Sequence, residues 1–167
     1  MASALSPAPG PISLSRRVVE WGILSLVILA LVAVFLRQSR IVQAQAELAA
    51  IRTTLAALRV AATLDHIEKS LHSARVSVAN LQRNPFGLLQ QKPGNYLGEL
   101  RVEQALAAPS SWFFEPACAC VGYVPSDPQW LSSTNGAAVI LFRVESNQGL
   151  PQLVALDSYR WQGALID

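Results

Sequence analysis

Two cysteines, two histidines and scattered carboxylates are the reactive side chains this sequence offers. Cys118 and Cys120 form a Cys-x-Cys pair. On one extended segment such a pair points to opposite faces, and that geometry disfavours a bond between them. They read as two small apolar residues beside a hairpin turn, or as a metal-ligand pair or intermolecular disulfide. The further ligands that a zinc site needs are missing from the sequence around them. His66 and His72 stand six apart on a helical pattern, which sets them on different faces. They cannot share a metal as an i, i+4 pair does. Glu99, Glu103, Glu115, Asp127 and Asp157 are dispersed, and their spacing prescribes no catalytic pair. No Gly-x-Ser-x-Gly, phosphate-binding loop or dinucleotide fingerprint occurs. The expectation is a non-catalytic chain with no cofactor and no metal. Glu20 is the remaining charge that needs a reason, because it stands at the edge of a long apolar run. Either it lies just outside the hydrocarbon, paired with Arg16 or Arg17, or it meets a positive group on a neighbouring subunit.

The element that positions Glu20 is unusually continuous. Between Gly22 and Pro85 there is no glycine and no proline. Residues 16–37 are apolar enough for a membrane anchor, which needs roughly 20 residues. Arg37 and Arg40 follow directly, where a signal-peptide cleavage region would be small and uncharged, so the run reads as an uncleaved anchor. Arginines flank it on both sides, and the positive-inside rule gives no orientation. Residues 38–84 then read as one amphipathic helix. Ile41, Ala44, Leu48, Ile51, Leu55 and Leu58 form a first stripe at three- and four-residue steps. Val60, Leu64, Ile67, Leu71, Ala74, Val78 and Leu81 form a second, slipped in phase. Glu47, Arg52, Arg59, Asp65, Glu68, Lys69 and Arg75 read as the solvated face. Asn84-Pro85 ends the helix, because proline drives its predecessor out of the helical region.

Residues 1–15, rich in Ser, Ala, Pro and Gly, read as a disordered tail. Residues 85–167 read as a small β-rich head. Pro85 to Pro109 is mostly loop, with a turn at Lys92-Pro93-Gly94-Asn95 and a candidate short helix within 97–108. Strands are expected at 111–114, 120–124, 137–144 and 152–156, with Tyr159-Arg160-Trp161 closing or flanking the sheet. Sequential strands joined by turns suggest an antiparallel meander. The fold class is thus α+β: an N-terminal transmembrane helix continuous with a long amphipathic helix, packed on a small C-terminal antiparallel sheet. The net charge is +2, with no basic block, so nucleic acid is not an expected partner.

An apolar helix with a glutamate at its head, continuing into an amphipathic helix and a small sheet, resembles the type IV pilin and pseudopilin plan. Counted from Arg16, Glu20 is fifth, where pilins keep a glutamate. Further segments are similar to minor-pilin-like proteins of the mannose-sensitive haemagglutinin (MSHA) pilus biogenesis cluster. These are Asn84-Pro85-Phe86 with Leu88-Leu89, the stretch from Pro93 to Glu99, Trp112 to Glu115, Val121 to Tyr123, and Tyr159 to Trp161. A prepilin peptidase site has a glycine before the cleaved bond, whereas Ser15 stands here. The resemblance implies a minor-pilin-like or inner-membrane component of pilus biogenesis, with its head on the periplasmic side. Its partners would be the inner membrane and other pilin-like or assembly subunits. On this reading Glu20, Ile41, Leu48, Ile51, Leu55 and Leu58 contact other subunits. The Leu64–Leu81 stripe then buries against Trp112, Phe114, Ile140 and Phe142, so the head packs on residues 60–84. Two alternatives stand beside it. One is a bitopic coiled-coil scaffold of a secretion or division machine with a ferredoxin-like head, which needs a second real helix after Pro85. The other is a membrane-tethered module binding a small ligand around Trp112, Tyr123, Trp130 and Trp161.

Overall fold

A computed structural model describes residues 16–72, 84–147 and 150–166. The expected tail at 1–15 and the positions Ala74, Val78 and Leu81 of the second stripe lie outside these residues. One helix, α1, runs through Arg16–His72, as the absence of glycine and proline beyond Gly22 allows. The chain divides into two compact units, Met1–Gln43 and Ala44–Asp167.

In the first unit, the described residues belong to α1 alone. Its large apolar side chains, from Val18 to Leu36, are exposed. The helix is long and apolar enough to cross a membrane, in keeping with the ~30 Å hydrocarbon thickness that about 20 helical residues span.

The second unit is a mixed sheet covered on one face by α1. Strands β1 (Tyr96–Glu99), β2 (Ser111–Glu115), β3 (Cys120–Val124), β5 (Ile140–Asn147) and β6 (Leu150–Ala155) lie side by side in that order. A second, small sheet joins β4 (Leu131–Ser132), β7 (Arg160–Trp161) and β8 (Ala164–Leu165). The architecture is α+β, and the expectation of a purely antiparallel sheet is corrected at one edge. There β1 runs parallel to β2. A parallel neighbour needs a crossover rather than a hairpin. Residues 100–110 supply it, carrying the short helix α2 (Val102–Ala105). The Glu115 carboxylate accepts the Val102 backbone N–H at 2.7 Å and so fixes the start of α2 against β2.

Strand β2 shows how both faces of the sheet become buried. Trp112 and Phe114 point to the side covered by α1, while Phe113 joins Ala105, Val124 and Val139 on the other side. All five residues of β2 and all five of β3 are buried. Opposite Phe113 in the β2–β3 register stands Gly122. A Cβ there would lie 2.2 Å from the Phe113 ring. The glycine leaves the space that the ring fills.

The hairpin from β2 to β3 also overturns the expectation for the cysteines. Cys118 sits in the turn, not in a strand, and Ala119 takes a positive φ of 53°. The backbone therefore bends between the two residues instead of alternating. Cys118 and Cys120 are disulfide-bonded, with their Cα atoms 5.2 Å apart, within the span a disulfide bridges.

Candidate interaction surfaces

Helix α1 has two apolar faces beyond Gln43, and the head uses the first of them. Ile51, Leu55 and Leu58 are 0% exposed. They pack with Trp112, Phe114, Val121, Tyr123, Ile140 and Phe142, and Leu48 packs partly buried against the same cluster. Full burial of such side chains stabilises by about 1.5–3 kcal/mol each. Leu48, Ile51, Leu55 and Leu58, expected to contact other subunits, are therefore committed to the chain's own core. Ile41 stays exposed. Glu20 accepts a hydrogen bond from Arg16 Nε at 3.0 Å, one turn earlier on the same helix, in an exposed pair. Such exposed pairs contribute little stability.

The head covers the first stripe, where the second was expected. Val60, Leu64, Ile67 and Leu71 are exposed, Leu64 by 61% and Leu71 by 79%. The head packs on Ala44 to Ala62, and of the segment expected to carry it the described residues Val60, Leu64, Ile67 and Leu71 stay outside the core. Polar anchoring explains why. The Trp161 indole N–H donates to the carbonyl of the fully buried Ala44 at 2.9 Å. Glu47, expected on the solvated face, accepts from Tyr123 Oη at 2.7 Å and from the Ser126 backbone N–H at 2.9 Å. The Ser126 hydroxyl donates to its other oxygen. Arg59 reaches the Leu153 carbonyl at 3.4 Å. These contacts tie the first stripe to the head and leave Val60, Leu64, Ile67 and Leu71 facing outward. The roles of Glu47 and the Ala44 carbonyl leave no mark in residue spacing, since each depends on where a distant strand arrives.

Burial raises the pKa of Tyr123 well above the ordinary phenol value. The Ser110 hydroxyl works the other way, and the Glu47 carboxylate adds to the rise as both acceptor and neighbouring charge. The phenol therefore stays protonated and donates to Glu47.

Of the four aromatic residues considered for a ligand pocket, three are core residues and Trp130 packs partly buried against them. Trp112, Tyr123 and Trp161 are buried. Trp112 packs on Tyr123 with ring centroids 4.8 Å apart, and Trp130 on Trp161 at 5.8 Å. Neither is the second long helix of a ferredoxin-like head present among the described residues, since α2 has four residues. Among the described residues, no three of His, Cys, Asp and Glu cluster closely enough to hold a metal ion.

Among the described residues, the exposed apolar run before Gln43 and the outward stripe of α1 are the longest continuous apolar surfaces left open to a partner. A cleft of about 650 Å³ lies beside that stripe, between α1 and residues 88–91. Compared with protein-family models, curated proteins and solved structures, the chain matches none.

Proposed function

We propose that this chain is a non-catalytic, single-pass subunit of type IV pilus biogenesis of the MSHA-like kind, acting as a minor-pilin-like or inner-membrane component. The observation that carries the reading is α1 itself. One helix holds a wholly exposed apolar run and, further along, a face buried by a small mixed sheet. That arrangement supports the reading, since a membrane-rooted pilin-like subunit needs an anchor and a head on one helix. Residues 16–37 are the anchor in this reading, and the head lies on the periplasmic side. The Cys118–Cys120 bond supports that side, because disulfides persist in oxidising compartments and are rare in the cytosol. The partners are the inner membrane and other pilus assembly subunits.

Deleting the gene in its native host and counting surface pili tests the reading. Loss of pili, restored by the full chain but not by one lacking residues 1–43, is the expected result. Unchanged piliation in the deletion strain contradicts it.

A further inference from the structure

The outward stripe of α1 is a strict heptad seam. Ala57, Val60, Leu64, Ile67 and Leu71 follow one another by three, four, three and four residues, the a and d pattern of a two-stranded coiled coil. At 3.6 residues per turn this seam lies about 170° around the helix from the buried face of Ala44, Ile51, Leu55, Leu58 and Ala62. The chain's own sheet occupies that buried face, so the seam points away from it.

We propose that a second copy of this chain docks on this seam, as a parallel two-stranded coiled coil. The parallel sense rests on the membrane-anchored reading above, since two copies rooted in one bilayer start their helices from the same side. In register, the seam is its own complement: Val60, Leu64, Ile67 and Leu71 each meet their counterpart. The flanking positions agree. Ala56 faces Ala61 of the second copy, and Thr63 faces Glu68, so no like charges are opposed. The cleft beside the seam is floored by Ala56, Ala57 and Ala61, side chains small enough to let a second helix come close. A lipid occupant is disfavoured, because Asp65 and Glu68 border the same cleft, whereas helices that lie on membranes border their apolar face with Lys and Arg. The seam is short, and confinement of both copies to one membrane supplies the effective concentration that a short coil needs.

The test uses the full chain in native membranes. Leu64→Cys and Ile67→Cys place thiols on the seam, and Lys69→Cys places one on the opposite side of α1. Mild oxidation is expected to give a dimer-mass product for the first two and none for the third. Absence of dimer at both seam positions, or equal dimer at all three, overturns the proposal. A second measurement is the mass of the Leu64→Lys/Leu71→Lys variant in nanodiscs. A drop from dimer to monomer with unchanged circular dichroism is expected, because both residues are exposed; a persisting dimer overturns it. Failure here is separable from failure of the pilus reading. A monomeric chain that still restores pili removes the seam alone, and a dimeric chain whose deletion leaves pili intact removes the pilus role alone.

Discussion

Glu47 and Tyr123 show how one residue pair holds the helix to the sheet. Their hydrogen bond joins positions 76 residues apart and, with Ser126, satisfies a carboxylate that would otherwise be costly to place beside the sheet. The pKa shift of Tyr123 gives this contact a sign. Its folded value lies above the ordinary 10.0, so its contribution is fully present below that pH and is lost as pH rises through the folded value. Tyr96 and Tyr159 are shifted the same way, first by burial. Denaturant unfolding of the detergent-solubilised chain, followed by tryptophan fluorescence, should show stability falling above about pH 10. The fall should be shallower in Tyr123→Phe; identical slopes in the two proteins would contradict the assignment. Gly122 offers a second residue-scale test. Gly122→Ala pushes a methyl group into the Phe113 ring, and the expected loss is about 1–3 kcal/mol in the same unfolding experiment.

At the scale of the element, α1 decides the architecture. Leu55→Ala removes a fully buried side chain and should cost about 2–5 kcal/mol. Leu64→Ala, on the outward seam, should change head stability by no more than about 0.5 kcal/mol. If the two costs were exchanged, the facing of the helix would be wrong. The existence of α1, its apolar run and both stripes were legible in the sequence, because a 3.5-residue spacing writes itself into residue types. Which stripe the sheet covers was not legible. Both have the same spacing, and the choice falls to long-range contacts such as Trp161 with Ala44 and Tyr123 with Glu47. Strands β2, β3, β5 and β6 were anticipated from their β-branched and aromatic runs. Strand β1 was not, since Tyr96–Glu99 contains Gly98 and is short. Its place in the sheet comes from pairing with β2 rather than from its own propensity. The disulfide was missed for a local reason: Ala119 in a left-handed turn conformation breaks the alternation that an extended Cys-x-Cys segment would have.

For the whole molecule, the proposed pilus role depends on α1 rooting the chain in the inner membrane with the head outside the cytoplasm. The proposed parallel sense of the seam rests on the anchoring and the proposed pilus role on both, while the Cys118–Cys120 bond is a separate observation that supports an oxidising side. Lys92 is an exposed residue of the head, set 5.6 Å over the Tyr96 ring, and it serves as a reporter. The decisive measurement is mass-spectrometric detection of Lys92 modification after intact spheroplasts are treated with an amine reagent that cannot cross membranes. Modification of Lys92 before lysis, in a chain recovered with the membrane fraction, is the expected result. Modification only after the inner membrane is broken would place the head in the cytoplasm and contradict the assignment.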